Sequence, residues 1–198
     1  MRILLIGASG AVGSAVCDAL AGRHEVVSAG RSHGDHRVDV TSDASVEALF
    51  AATGQVDAIV CTTGGMHFGP LATMRPSDFD VGLQGKLLGQ IRVALIGQQA
   101  LANGGSVTLT SGIDEPILHA VNASAVNAGV EGFVRAAAME LPRGLRINAV
   151  SPTVMTESLP VYGPFFPGFE SVPAARVALA YVRSVEGPQT GRVYRVWQ

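Results

Sequence analysis

Gly7, Gly10 and Gly13 are spaced by two residues each; they follow the apolar run at 3–6 and precede an Ala/Val pattern of helical period through Leu20. An unbroken apolar run of this kind reads as a strand buried on both faces. A turn without side chains lets a ligand come close to the backbone, and the unpaired amides of the following helix offer their donors to an anion. Gly7, Ser9, Gly10, Ala11, Val12 and Gly13 therefore form a seat for the pyrophosphate of a dinucleotide. At the end of a second strand, residues 24–29, stands Gly30-Arg31-Ser32. That is the place of the adenosine ribose, where an acidic side chain would accept the 2'-hydroxyl. Ala29, Gly30 and Arg31 supply no acid. A guanidinium with the Ser32 hydroxyl beside it suits a 2'-phosphate instead, so NADP is expected ahead of NAD.

Other reactive groups fall at strand ends or on one long helical segment. Cys61-Thr62-Thr63-Gly64 closes a fourth strand with small residues over which a cofactor can lie, and Thr110-Ser111-Gly112 closes a fifth, at the carboxyl edge where open parallel sheets place ligands. Lys86 is the only lysine in the chain. Cys17 and Cys61 have no metal-ligand spacing, and no metal is expected. His33 and His36 read as loop residues.

The elements that position these groups alternate strand and helix with short connections, which implies an α/β fold with a parallel sheet covered on both faces. A third strand is expected over 37–41, a helix capped by Ser42 or Asp43 through Ala52, and a helix from Pro76 through Ala102. The apolar stripe of that last helix reads Leu83, Leu87, Ile91, Leu95, with Asn103-Gly104-Gly105 stopping it. The fifth strand is expected over 106–110, a further helix over 172–184 with Pro173 in its first turn, and a closing strand over 192–197. With 198 residues and 47% hydrophobic content, one buried core spanning 1–198 is expected. The net charge of −2, without a basic run, gives no footprint for nucleic acid or an anionic membrane surface. No apolar run approaches bilayer length and the chain starts on a core strand, so a cytoplasmic protein is expected.

From Ala128-Gly129-Val130-Glu131-Gly132 through Arg146-Ile147-Asn148-Ala149-Val150-Ser151-Pro152, with Val38-Asp39-Val40-Thr41 and Thr190-Gly191 as further matches, the chain resembles the short-chain dehydrogenase/reductase family over essentially its whole length. The resemblance implies a single-domain Rossmann fold with a seven-stranded parallel sheet and bound NADP or NAD. It also implies hydride transfer on a small carbonyl or alcohol, and a homodimer or homotetramer packed through the helices from Ser77 and Val121. It places Asp39 and Val40 at the adenine, Thr62, Thr63 and Gly64 across the cofactor, and Pro152, Thr153 and Thr156 near the nicotinamide end and phosphates. A short substrate loop follows at about residues 153–171, where Phe165, Phe166 and Phe169 suit an apolar wall over the substrate or a subunit contact.

The departures from the family lie in the catalytic set. Its Tyr-x-x-x-Lys falls on Ala123 and Asn127, so the phenol that protonates a carbonyl oxygen and the ammonium that supports it are both missing. Ser111 matches the family serine, in a segment one residue short. Lys86-Leu87-Leu88-Gly89 matches the family Asn-x-x-Gly, which puts the lone lysine where an active-site asparagine stands. Lys86, Ser111 and Asn127 are the catalytic candidates, with His67, His119 and Tyr162 as further acids near the same sheet edge. The two functional expectations are an NADPH-dependent oxidoreductase with an altered proton donor and a catalytically silent NADP(H)-binding sensor or interaction protein.

Overall fold

The computed structural model describes residues 1–197. Seven strands form one parallel sheet: β1 (Arg2–Ile6), β2 (Glu25–Gly30), β3 (His36–Arg37), β4 (Val56–Cys61), β5 (Leu101–Thr110), β6 (Arg146–Pro152) and β7 (Val193–Val196). Their spatial order is β3-β2-β1-β4-β5-β6-β7. β1 pairs with β2 on one side, Ile3 opposite Val26, and with β4 on the other, Ile3 opposite Ala58. The order reverses there, and the loops after β1, β4, β5 and β6 converge at the carboxyl edge beside it, as the alternating sequence implies.

Both faces are covered. Ile3 and Leu5 of β1 pack with α1 (Ala11–Ala21) and α7 (Ala174–Glu186) through Val16, Leu20, Val177 and Tyr181. Leu4 and Ile6 point the other way, into the cluster of α2 (Asp43–Thr53), α4 (Gly89–Gly97) and α5 (Val121–Glu140). Because alternate residues serve opposite cores, the strand shows no polar alternation.

The helix expected over 76–102 is three pieces: α3 (Pro76–Gly82), a π-helical stretch over Leu83–Leu88, and α4. The wider turn shifts the register. Lys86, Gln90, Val93 and Gly97 turn inward, while the apolar stripe of Leu83, Leu87 and Ile91 is only half-buried and Leu95 is 53% exposed. The helix ends at Gly97, and Asn103-Gly104-Gly105 lies inside β5 as a bulge, between the pairs Val56–Leu101 and Ala58–Ser106, with Gly104 at φ +74°. β3 is only two residues long, because the chain turns at once into the Asp39–Thr41 hydrogen bonds and the Ser42 cap of α2. α7 starts at Ala174 with Pro173 as its N-cap. A short α6 (Leu159–Tyr162) lies in the loop after β6. Among the described residues no helix is long and apolar enough to cross a membrane.

Candidate active site

The turn after β1 is built for close approach. Gly7 has φ +94°, and a Cβ there would come within 2.7 Å of Thr62 Oγ1; a Cβ at Gly13 would collide with the carbonyl oxygen of Gly7. Gly10 is the N-cap of α1 and donates to the Gly7 carbonyl at 3.1 Å, and no side chain caps the helix. The amides of Ala11, Val12 and Gly13 head the helix without intrahelical acceptors, next to exposed Ser9. Thr62 Oγ1 donates to the Gly7 and Ile6 carbonyls at 3.1 and 3.2 Å, which ties the end of β4 to this turn. The residues present thus fit a pyrophosphate.

At the adenosine end, Arg31 and Ser32 are exposed beside the end of β2. Arg31 reaches Asp39 Oδ1 at 3.6 Å, and the same oxygen accepts from Thr41 N and Oγ1 at 2.9 and 2.7 Å. The Thr41 hydrogen bonds, with Arg31 a smaller contributor, hold the Asp39 carboxyl below the usual carboxylate range. Val40 is turned away. Its side chain is buried against Gly89 and its carbonyl accepts from Arg92, so only its backbone N–H is left for an adenine.

Lys86 is buried among these strand ends. The π-helical turn points it inward, and the residue is 4% exposed. A Cβ on Gly64, which has φ +137°, would lie 2.5 Å from the Lys86 Cβ and Cγ, so the glycine at that strand end leaves room for the lysine stem. Nζ donates to the Ser111 carbonyl at 2.8 Å, to Asn127 Oδ1 at 2.8 Å, and to the Met66 sulfur at 3.4 Å. Burial pulls the ammonium pKa down to about 7, since no carboxylate balances the lost hydration. Gly112 admits the Asn127 amide from the other side, where a Cβ would stand 2.7 Å from Nδ2.

Ser111 lies at the centre through its carbonyl. Its hydroxyl donates toward Glu131 Oε1 at 3.2 Å and the Val150 carbonyl at 3.4 Å, and Glu131 is buried and paired with Arg135 at 2.7 Å. Ala123 is buried beside them. Around these groups opens a cavity of about 200 Å³, lined by Val12, Thr62 and Gly64 on the cofactor side and by Ala123, Ser124, Tyr162 and Phe166 beyond. Pro152 and Thr153 also line it, and Thr153 Oγ1 is buried without a partner. Thr156 is exposed, is not among the lining residues, and bonds Ser171 at 3.0 Å. Thr63 Oγ1 lies 3.1 Å from the buried Cys61 sulfur.

Of the further acids, Tyr162 alone lines the cavity. His67 and His119 take part through the backbone: His67 N donates to Asn122 Oδ1 at 2.9 Å, and Gly69 N donates to the His119 carbonyl at 2.8 Å. Sequence reasoning missed Met66, Phe68, Gln90 and Asn122. Asn122 is fully buried and also donates to the Phe79 carbonyl at 2.7 Å, which fixes the start of α5 against α3. Its place on the helix face that also carries Asn127 and Glu131 was the one available signal. No group of three or more His, Cys, Asp or Glu among the described residues could hold a metal.

The strand order, the glycine turn at the reversal and the loops gathered above it define a Rossmann-fold protein of the dinucleotide-binding kind. Residues 11–186 match the sequence profile of a family described as enoyl-(acyl carrier protein) reductase. The chain belongs to the short-chain dehydrogenase/reductase family of oxidoreductases, whose members use NAD or NADP. It is 28% identical to an uncharacterised oxidoreductase of Mycobacterium tuberculosis over 79% of this chain and 68% of that protein. It is 27% identical to D-threitol dehydrogenase of Mycolicibacterium smegmatis over 79% and 70%. The solved structure of the protein lin1944 from Listeria innocua is similar over 100% of both chains, with 48% identity and a TM-score of 0.98. A small-chain dehydrogenase solved in complex with NADPH shares the fold at 24% identity over 99% and 96% of the two chains, with a TM-score of 0.89.

Proposed function

We propose that this chain is an NADP-dependent oxidoreductase that interconverts a small carbonyl compound and its alcohol, with Lys86 holding and moving the proton at the substrate oxygen. The observation that carries the reading is the 2.8 Å contact between Lys86 Nζ and Asn127 Oδ1 beside the cavity. The family places an asparagine on the first of these helices and a lysine on the second; here the two groups have exchanged places, and the cation returns to the same centre. Arg31, exposed beside Ser32 at the end of β2 and held only by a 3.6 Å contact to Asp39, supports NADP. When bound, the dinucleotide supplies or accepts the hydride at the carbonyl carbon.

Two Lys86 protons are held by strong oxygen acceptors, whereas the third rests on a thioether, a weak one. A carbonyl oxygen displaces Met66 at little cost. In reduction the oxygen takes this proton and leaves a neutral amine, which recovers a proton from water; in oxidation the amine accepts the proton of the alcohol. Asn127 Nδ2 is left for a ribose hydroxyl. The same reading makes the protein a cytoplasmic homodimer or homotetramer.

The test is NADPH oxidation with aldehydes, ketones and quinones, for the wild type and Lys86→Met. Loss of the proton donor is expected to lower kcat about a hundredfold or more, with NADPH binding retained in a fluorescence titration. Unchanged turnover in Lys86→Met overturns the role of the lysine. NADPH binding by the wild type without turnover of any carbonyl leaves a nucleotide-binding protein that works through partners.

A further inference from the structure

We infer that the substrate is an uncharged carbonyl compound whose carbonyl sits on an aromatic or other flat apolar group; this rests on the catalytic reading above. The walls beyond Lys86 come from three separate loops. Met66 and Phe68 follow β4, Ile113 and Ile117 follow β5, and Tyr162 and Phe166 belong to the loop after β6. Phe68 stands 5.4 Å from the Tyr162 ring and 4.8 Å from Phe165, so the first and last of these loops meet in ring contacts beside the cavity. Flat rings and thioethers pack well on such walls, and each buried ring adds apolar area at no polar cost.

Charge excludes the alternatives. Lys86 is the only ionic side chain among the lining residues, and two of its protons are committed to Ser111 and Asn127. The ionic groups of the same loops are engaged elsewhere: Asp114 pairs with Arg195 at 2.9 Å, both carboxylate oxygens of Glu157 accept from Ala174 N at 3.0 Å, and Glu115 and Glu170 line a different cleft. An anionic substrate thus finds no guanidinium and a single ammonium with two protons already committed, while a cationic one meets that ammonium with no carboxylate in the lining to balance it. A polyol finds the hydroxyls of Ser124, Thr153, Ser158 and Tyr162 in the walls, but those of its own hydroxyls that fall against Phe68, Phe166, Ile113, Ile117 and Met66 lose water without replacement.

The inference is tested by binding to the NADP-loaded protein, measured by calorimetry, with acetophenone, its anionic counterpart benzoylformate, and dihydroxyacetone as probes. Acetophenone is expected to bind at least about tenfold tighter than either of the others, and Ile117→Arg is expected to reverse the order against benzoylformate. Equal or tighter binding of benzoylformate or dihydroxyacetone to the wild type overturns the inference, as does no detectable binding of acetophenone at its solubility limit. Turnover without this preference removes the substrate class and leaves the oxidoreductase reading standing. The preference without any NADPH oxidation does the opposite.

Discussion

An ammonium taken out of water must be repaid by acceptors, and the acceptors Lys86 receives are neutral: one backbone carbonyl, one amide oxygen and one sulfur. They orient the group without restoring its ordinary pKa of 10.5, which burial lowers to about 7. Between those two values the unfolded chain carries a proton that the native protein has lost, so stability attributable to this residue rises with pH across the window and is flat below it. Relative to Lys86→Met, the wild type is expected to gain up to about 1.4 kcal/mol per pH unit above pH 7. Urea denaturation of both proteins from about pH 6 to pH 10 measures this, and a constant difference would show a lysine of ordinary pKa. The rate of carbonyl reduction should fall over the same window, as the ammonium is lost. Lys86 and Asn127 were both candidates in the sequence, and the structure brings them into contact. Met66 as third acceptor and Ser111 acting through its carbonyl were not, because spacing gives no information on where a side chain turns at a strand end.

At the scale of elements, the π-helical stretch between α3 and α4 determines which groups reach the centre. Helical period was visible over residues 76–102, but nothing in the sequence marked the wider turn, and the stripe of leucines and isoleucine looked like the buried one. The inward face carries Lys86 and Gln90 ahead of Val93 and Gly97, and each of the two polar residues has a defined partner. Gln90 is fully buried; its Nε2 donates to the Thr110 carbonyl at 2.7 Å and its Oε1 accepts from Thr110 N at 2.7 Å. The pairing of β4 with β5 ends at Val60 opposite Thr108, so this amide takes the place of a strand neighbour just before Ser111. Gln90→Leu would leave a buried donor and acceptor unpaired, and a loss of about 2 kcal/mol or more in chemical denaturation is expected. An unchanged denaturation midpoint would mean that water or a shifted backbone satisfies Thr110.

At the scale of the whole molecule, the parallel sheet with helices on both faces could be read from the first strand and the alternation that follows, since parallel pairing and helix cover leave a strong apolar pattern. The outer surface could not, because it depends on the register shift inside one helix. That shift turns Leu95 outward, and Leu88 and Met139 are exposed as well. Between α4 and α5 runs a groove of about 370 Å³ lined by Leu95, Phe133, Ala137 and Leu141 among others. An apolar surface on both helices is costly to leave in water. A second copy of the chain, packed through the helices that the family resemblance names, would cover it. The wild type should therefore run in light scattering as two or four chains of 20.4 kDa. Leu95→Glu, which puts a charge on this face without touching the cavity, should shift the mass to that of one chain at micromolar concentration while NADPH still binds. A monomeric wild type, or an oligomer indifferent to the charge introduced by Leu95→Glu, would place any subunit contact on another face.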